Sequence, residues 1–209
     1  MEPSIVSMEQ AEQLSVMRLN NYELGIARFT MSLPDKGRQA WLQGRVDLVE
    51  HTGYANMTTN GAGNAYSLLV WTENQIAELP AQNTELPTQP PASRAWSLRD
   101  LDPHAGLPDS ALNFLLQLAS DRPENALLLR QNGAQYHGQT VIEGQEVSVY
   151  TGPGTNHKPS DNITYFVSSD ARLMKVEARL GDSSNPVVIN FEGAEETPIE
   201  LPALGNSSK

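Results

Sequence analysis

Cysteine is absent from the 209 residues. That excludes a disulfide framework, a cysteine-ligated zinc or iron–sulfur site and a thiol nucleophile. No apolar run approaches the ~18 residues of a membrane-spanning helix. Basic residues are scarce: 14 Lys and Arg stand against 25 Asp and Glu, for a net charge of -11. Nucleic-acid binders carry a basic stripe for phosphate, so that class is not expected. The acids are dispersed, with Glu195-Glu196 as the one adjacent pair, which reads as a solvated surface rather than an acidic tail. Met1 is followed by Glu2, Pro3 and Ser4, so neither a basic n-region nor an apolar h-region of a leader is present. The chain is then either cytosolic or one whose leader was removed. The Pro, Gln, Thr and Asn-rich centre favours an extracytoplasmic setting.

Enough apolar residues remain for a core. At 39% hydrophobic, a chain of this length can bury ~70% of its unfolded surface without a staple. Ser7 and Gln10 make a capping-box pattern, and Met8, Ala11, Leu14, Met17 and Asn21 follow at helical spacing. This predicts a helix from residue 8 that ends at Asn20-Asn21. From residue 26 the period becomes two. Ala27, Phe29, Met31 and Leu33 alternate with polar residues, then Pro34-Asp35-Lys36-Gly37 marks a turn. Residues 39–50, 54–59, 66–72 and 75–79 continue the pattern, giving a meander of about five antiparallel strands.

Residues 80–93 hold Pro80, Pro87, Pro90 and Pro91 and read as a Pro-rich surface loop. Two helices are expected next. Pro108 or Asp109 opens one, with Leu112, Leu115, Leu116 and Ala119 as its stripe. Asp121-Arg122-Pro123 opens the other, which carries Ala126, Leu127, Leu128 and Leu129 and stops at Gly133. Strands return at 139–143, 146–150, 163–167, 172–180 and 187–191, with a polar loop at 152–161. In the 172–180 strand, Met174, Val176, Ala178 and Leu180 share one face. Strands in blocks predict an antiparallel sheet and an α+β class. About ten strands in one such sheet must curl or split. The expected organisation is a single domain over 1–209, with an ordered core at 7–193 and a flexible tail at 194–209.

Three stretches resemble the LolA/LolB-like lipoprotein-carrier fold, including the LprG/LppX type of actinobacterial lipoprotein. The opening helix precedes a meander with Gly44-Arg45-Val46-Asp47 and Leu69-Val70-Trp71-Thr72. A strand, glycine turn and strand follow at Val141-Ile142-Glu143-Gly144-Gln145-Glu146-Val147. Finally, Ile163-Thr164-Tyr165-Phe166-Val167 leads to Asp170-Ala171-Arg172-Leu173-Met174-Lys175-Val176. The resemblance spans most of residues 5–192. It implies a strongly curved half-barrel whose concave face is covered by the N-terminal and two central helices. It implies no catalytic residue and no cofactor. The family's lipidated cysteine has no counterpart here.

Candidate sites divide into polar and apolar. Asp100, Asp102 and His104 in Asp-Leu-Asp-Pro-His have ligand-type side chains, but no fourth ligand at fixed spacing, and they read as turn caps. His51, His104, His137 and His157 each fall at a turn or strand end. Gly61-x-Gly63 and Gly152-x-Gly154 lack the strand-to-helix context of a phosphate loop and read as hairpin loops. Asn56, Asn162 and Asn206 match the glycosylation sequon. Trp41, Trp71, Trp96, Leu112, Leu116 and Phe166 are the candidate lining of an apolar cleft beneath the helices. The competing reading is a filled core. No metal, cofactor or catalytic group is expected. The leading expectation is a non-enzymatic extracytoplasmic domain that binds a lipid or another apolar ligand. The alternative is a cell-envelope interaction or sensing module with a filled core.

Overall fold

The computed structural model describes residues 2–35, 38–60, 63–93, 95–152, 163–181, 183 and 185–202. Parts of the expected turns at 34–37 and 60–64, the 153–161 loop with His157, Asn162, and the tail from 203 lie outside the described residues. The elements run β1 (Ser4–Ile5), α1 (Met8–Leu24), β2 (Ile26–Asp35), β3 (Arg38–Asp47), β4 (Thr52–Thr59), β5 (Ala65–Trp71), β6 (Gln75–Ala81) and β7 (Ser97–Asp100). Then come α2 (Leu107–Leu116), α3 (Ala126–Gln131), β8 (Gln135–Ile142), β9 (Gln145–Thr151), β10 (Ile163–Ser168), β11 (Leu173–Ala178) and β12 (Val187–Ala194).

All twelve strands join one sheet, in the order β1-β8-β9-β10-β11-β12-β2-β3-β4-β5-β6-β7. Every pairing is antiparallel. The class is α+β, as the blocks of strands require. The sheet is larger than the expected ten or so strands because β1 and β7 carry no clear alternation. It is not closed: β1 and β7 are its edges, and both are short, which limits pairing with other chains. Two meanders, β2 to β7 and β8 to β12, become one sheet where β12 pairs with β2 along residues 188–194 and 27–32.

The capping box forms as expected. Gln10 N–H donates to Ser7 Oγ at 3.1 Å, and Ser7 N–H donates to Gln10 Oε1 at 2.9 Å. The helix does not stop at Asn20-Asn21. The Asn21 carboxamide donates to Leu118 O at 2.7 Å, and that of Asn20 to Asp170 O and Ala171 O at 3.1 and 3.0 Å. These tertiary bonds outweigh the poor helix propensity of asparagine. The helix ends at Gly25, whose φ of 74° suits glycine alone. The last helix starts at Asn125 rather than Pro123, because the Asn125 side chain accepts from Leu128 N–H at 3.1 Å. Of its leucines, only Leu129 is buried, while Leu127 and Leu128 are half exposed.

One sheet face carries the helices. Phe29, Met31, Leu42, Trp71, Val176 and Ile189 meet Leu14, Met17, Leu112, Leu115 and Leu116 in one apolar cluster. Met8, expected on that stripe, is exposed. Between β10 and β11 the register shifts, Phe166 facing Lys175 and Val167 facing Leu173, which puts Leu173 inside and leaves Met174 half buried. A bulge breaks the alternation that 172–180 suggested. The opposite face holds a second, smaller cluster of Tyr54, Leu68 and Val70. The Pro-rich segment supplies Leu86 to it, Trp96 joins from just before β7, and the segment after β12 supplies Ile199.

Candidate functional site

The interior under the helices is built around Trp71, at the end of β5. Its cross-strand partners are Gly53 on β4 and Ile76 on β6. The ring is fully buried and meets Phe29 edge-on, with centroids 6.2 Å apart at 89°. A Cβ at Gly53 would lie 2.0 Å from Trp71 Cζ2, so the indole occupies the space that a side chain at residue 53 would need. Leu112 and Leu116, on α2, are buried in the same cluster. Among the described residues, Trp71 Nε1 has no hydrogen-bond acceptor.

The other three candidates lie on the opposite face, which corrects the expectation that all six line one cleft. Trp41 pairs with Ser32 and Thr58, while its neighbour Leu42 points into the helix-covered core; Trp41 is 41% exposed. Trp96 belongs to the second cluster and donates from Nε1 to Pro91 O at 3.0 Å. Phe166 pairs with Lys175 and Val149, and the Lys175 ammonium lies 4.7 Å from its ring centroid. Period two decides this: Tyr165, one residue earlier, packs on the main core, so Phe166 faces away.

The helix layer is fastened by polar groups. Arg18 on α1 donates to Gln117 O at 2.6 Å and Ala119 O at 3.2 Å and pairs with Glu124 at 3.1 Å. Gln13 donates to Ser168 O at 2.9 Å and accepts from the Tyr150 hydroxyl. The polar ties of α2 lie near its ends. Asp109 accepts from Arg99 on β7 in two bonds of 2.7 Å, and Leu118 O accepts from Asn21. Burial pushes the Asp109 carboxyl up, but the Arg99 bonds, the Asp102 N–H and the Arg99 charge outweigh it and hold the group below the usual range. Burial pushes Tyr165 up to about 12, with Glu124 adding to the rise.

A polar cleft of about 200 Å³ opens beside the C-terminal end of α1, lined by Asn20, Asn21, Glu143, Asp170, Arg172 and Glu192 among others. In the sequence Asn20 and Asn21 read as a helix stop, Asp170 as a turn, and Glu143 and Arg172 as strand ends, with nothing to join them in one cleft. Asp100 ends β7, and Asp102 and His104 lie between β7 and α2, where Asp102 Oδ1 accepts from His104 N–H at 2.9 Å in a local turn. Among the described residues no group of three or more His, Cys, Asp and Glu is placed to hold a metal ion. His51 Nδ1 lies 3.4 Å from Glu73 Oε1, and His137 Nε2 lies 2.9 Å from Thr151 Oγ1. No described helix is long and apolar enough to cross a membrane.

On the opposite face, Arg45 is buried within β3 and donates to Thr197 O at 3.4 Å and to Thr88 O. Its guanidinium lies 5.7 Å from the Tyr54 ring centroid. Burial pushes the Tyr54 hydroxyl up to about 12, against a smaller lowering by Arg45. Sequence alternation places Arg45 on the polar side of its strand but carries no signal that it is buried.

No family model matches the chain. No curated protein matches it. Among solved structures it is similar to a DUF1329 family protein from Desulfovibrio piger, at 9% identity and a TM-score of 0.35, over 88% of this chain and 91% of that one. A likeness that distant carries no argument about what this chain does.

Proposed function

We propose that this chain is a non-enzymatic binding domain for a lipid or another apolar ligand, acting outside the cytoplasm as a LolA-like carrier. The observation that carries the reading is the indole N–H of Trp71, which is buried in an apolar interior without an acceptor among the described residues. Leaving such a donor unpaired costs ~1–3 kcal/mol. An ester, amide or hydroxyl oxygen on a ligand between α2 and the sheet would accept from it. The acyl part would replace contacts that Leu112 and Leu116 now make with the sheet, at ~0.8 kcal/mol for each buried methylene. With its polar ties near its ends, α2 is the element that would shift. An open sheet of twelve strands favours the curl that a half-barrel carrier needs. The resemblance of residues 5–192 to that family supports the same reading.

A second reading has its own observation. Trp71 rests on Gly53 and abuts Phe29, which is how a filled core packs. The chain would then be an envelope interaction or sensing module. Native mass spectrometry, before and after incubation with a lipid extract and compared with the denatured mass, separates the two. The carrier reading expects added mass that is lost on denaturation and extractable into organic solvent. An unchanged apo mass after incubation would overturn it in favour of the interaction module.

A further inference from the structure

The face away from the helices carries a formed groove. Its floor is Tyr54, Leu68 and Val70, with Leu79 and Ala81 beside them. Its wall is the Pro-rich segment, pinned where Asn56 donates to Asn83 O at 3.1 Å and where Arg45 donates to Thr88 O. Into this groove runs the segment that follows β12. Glu195 N–H donates to Ile26 O at 2.8 Å, prolonging the β12–β2 pairing. Thr197 O accepts from Arg45 at 3.4 Å.

Gln89 then clamps the backbone. Its Nε2 donates to Pro198 O at 2.7 Å, and its Oε1 accepts from Glu200 N–H at 3.0 Å. The residue between, Ile199, places its side chain in the apolar cluster. The Gln89 carbonyl in turn accepts from the Tyr54 hydroxyl at 3.4 Å. Glu195, Thr197 and Ile199 are half buried, whereas Glu196, Pro198 and Glu200 are exposed. The segment thus bends at Thr197, where Glu195 Oε1 accepts from the N–H groups of Glu196 and Thr197 at 3.1 and 3.2 Å, and from Pro198 to Glu200 it is read from one side; none of its six residues is fully buried.

A carboxamide that bonds one carbonyl and the N–H two residues later reads main chain, and a pocket for the side chain between them supplies selectivity. This is the logic of extended-peptide recognition. We propose that the groove formed by Tyr54, Leu68, Arg45 and Gln89 is a peptide-recognition site that residues 195–200 fill in cis. Its ligand in trans is an extended segment of a partner protein with a β-branched apolar residue at the place that Ile199 takes in cis. The one-sided, partly exposed seating makes the cis segment displaceable, and its tethering makes it a competitor at high effective concentration.

The test uses the full chain carrying Ile199→Asp, which removes the apolar anchor of the cis segment, and a fluorescent peptide of residues 194–202. Anisotropy should show saturable binding to the folded variant and at least ~10-fold weaker apparent binding to the wild-type chain, where the cis segment competes. Adding Gln89→Ala to the variant should weaken binding ~10-fold, the equivalent of about 1.4 kcal/mol for the lost clamp. The same peptide with Ile199→Asp should not bind. No binding of the wild-type peptide to a variant with a native circular dichroism spectrum would overturn the proposal. If Ile199→Asp fails to fold, Gln89→Ala alone decides. Cleavage after Glu195, Glu196 and Glu200 by a glutamyl endopeptidase should accelerate several-fold, and an unchanged rate overturns the clamp.

Discussion

Gly53→Ala is a one-methyl change with a calculable cost. The new Cβ would sit 2.0 Å from Trp71 Cζ2, 2.2 Å from Cε2 and 2.4 Å from Cη2. Those atoms belong to a rigid, fully buried ring held edge-on against Phe29, so the clash cannot be relieved by swinging a flexible chain end. Either the indole or strand β4 must move, and overpacking of this kind costs ~1–3 kcal/mol. In a chain of this length that corresponds to a Tm lowered by ~2–12 °C, at ~2–4 °C for each kcal/mol. Far-ultraviolet circular dichroism during heating and in urea would measure it. The double variant Gly53→Ala/Trp71→Phe supplies the decisive arm, since the smaller ring frees the space the methyl needs. Its destabilisation should fall short of the sum of the single changes by at least ~0.5 kcal/mol. A Gly53→Ala chain within ~0.5 kcal/mol of wild type, or strict additivity in the pair, would refute the argument that Trp71 makes glycine obligatory here.

Asp109→Asn should destabilise the chain by ~1–2 kcal/mol at neutral pH, because a weaker acceptor then faces Arg99 and the Asp102 N–H. Since the folded carboxyl titrates below its ordinary value, its contribution is full above the unfolded pKa of ~3.9. It is lost as pH falls through the folded value, so the wild-type advantage in urea midpoint should vanish in acid. Tyr54 and Tyr165 are both pushed up to about 12. Their neutral forms therefore stabilise the fold fully below the unfolded value of ~10, and this contribution is lost as pH rises toward 12. Tyrosinate absorbance should show these two, and Tyr150, which burial also pushes up, ionising late, with stability declining over the same interval. Arg45→Leu should release Thr88 O and Thr197 O, leaving the 195–200 segment open to protease while the helix-covered core keeps its near-ultraviolet spectrum.

The parts of the fold governed by local chemistry are legible in the order of residues. The capping box of α1 and the five-strand meander follow from cap chemistry, alternation and turn residues. The α+β class follows because strands come in blocks, and the apolar interior carrying Leu112, Leu115 and Leu116 follows from helical spacing. Features that depend on partners distant in the chain emerge only on folding. Asn20 and Asn21 continue a helix because carbonyls roughly 100 and 150 residues away accept from them. Edge strands β1 and β7 exist because β8 and β6 offer free ladders, not because their residues favour extension. Trp41, Trp96 and Phe166 part from Trp71 because period two assigns a face, but which face the helices cover is set by packing. The groove on the opposite face was hidden for the same reason. A single Gln in a Pro-rich stretch and a single Ile near the end of the chain signal nothing until folding sets one against the other.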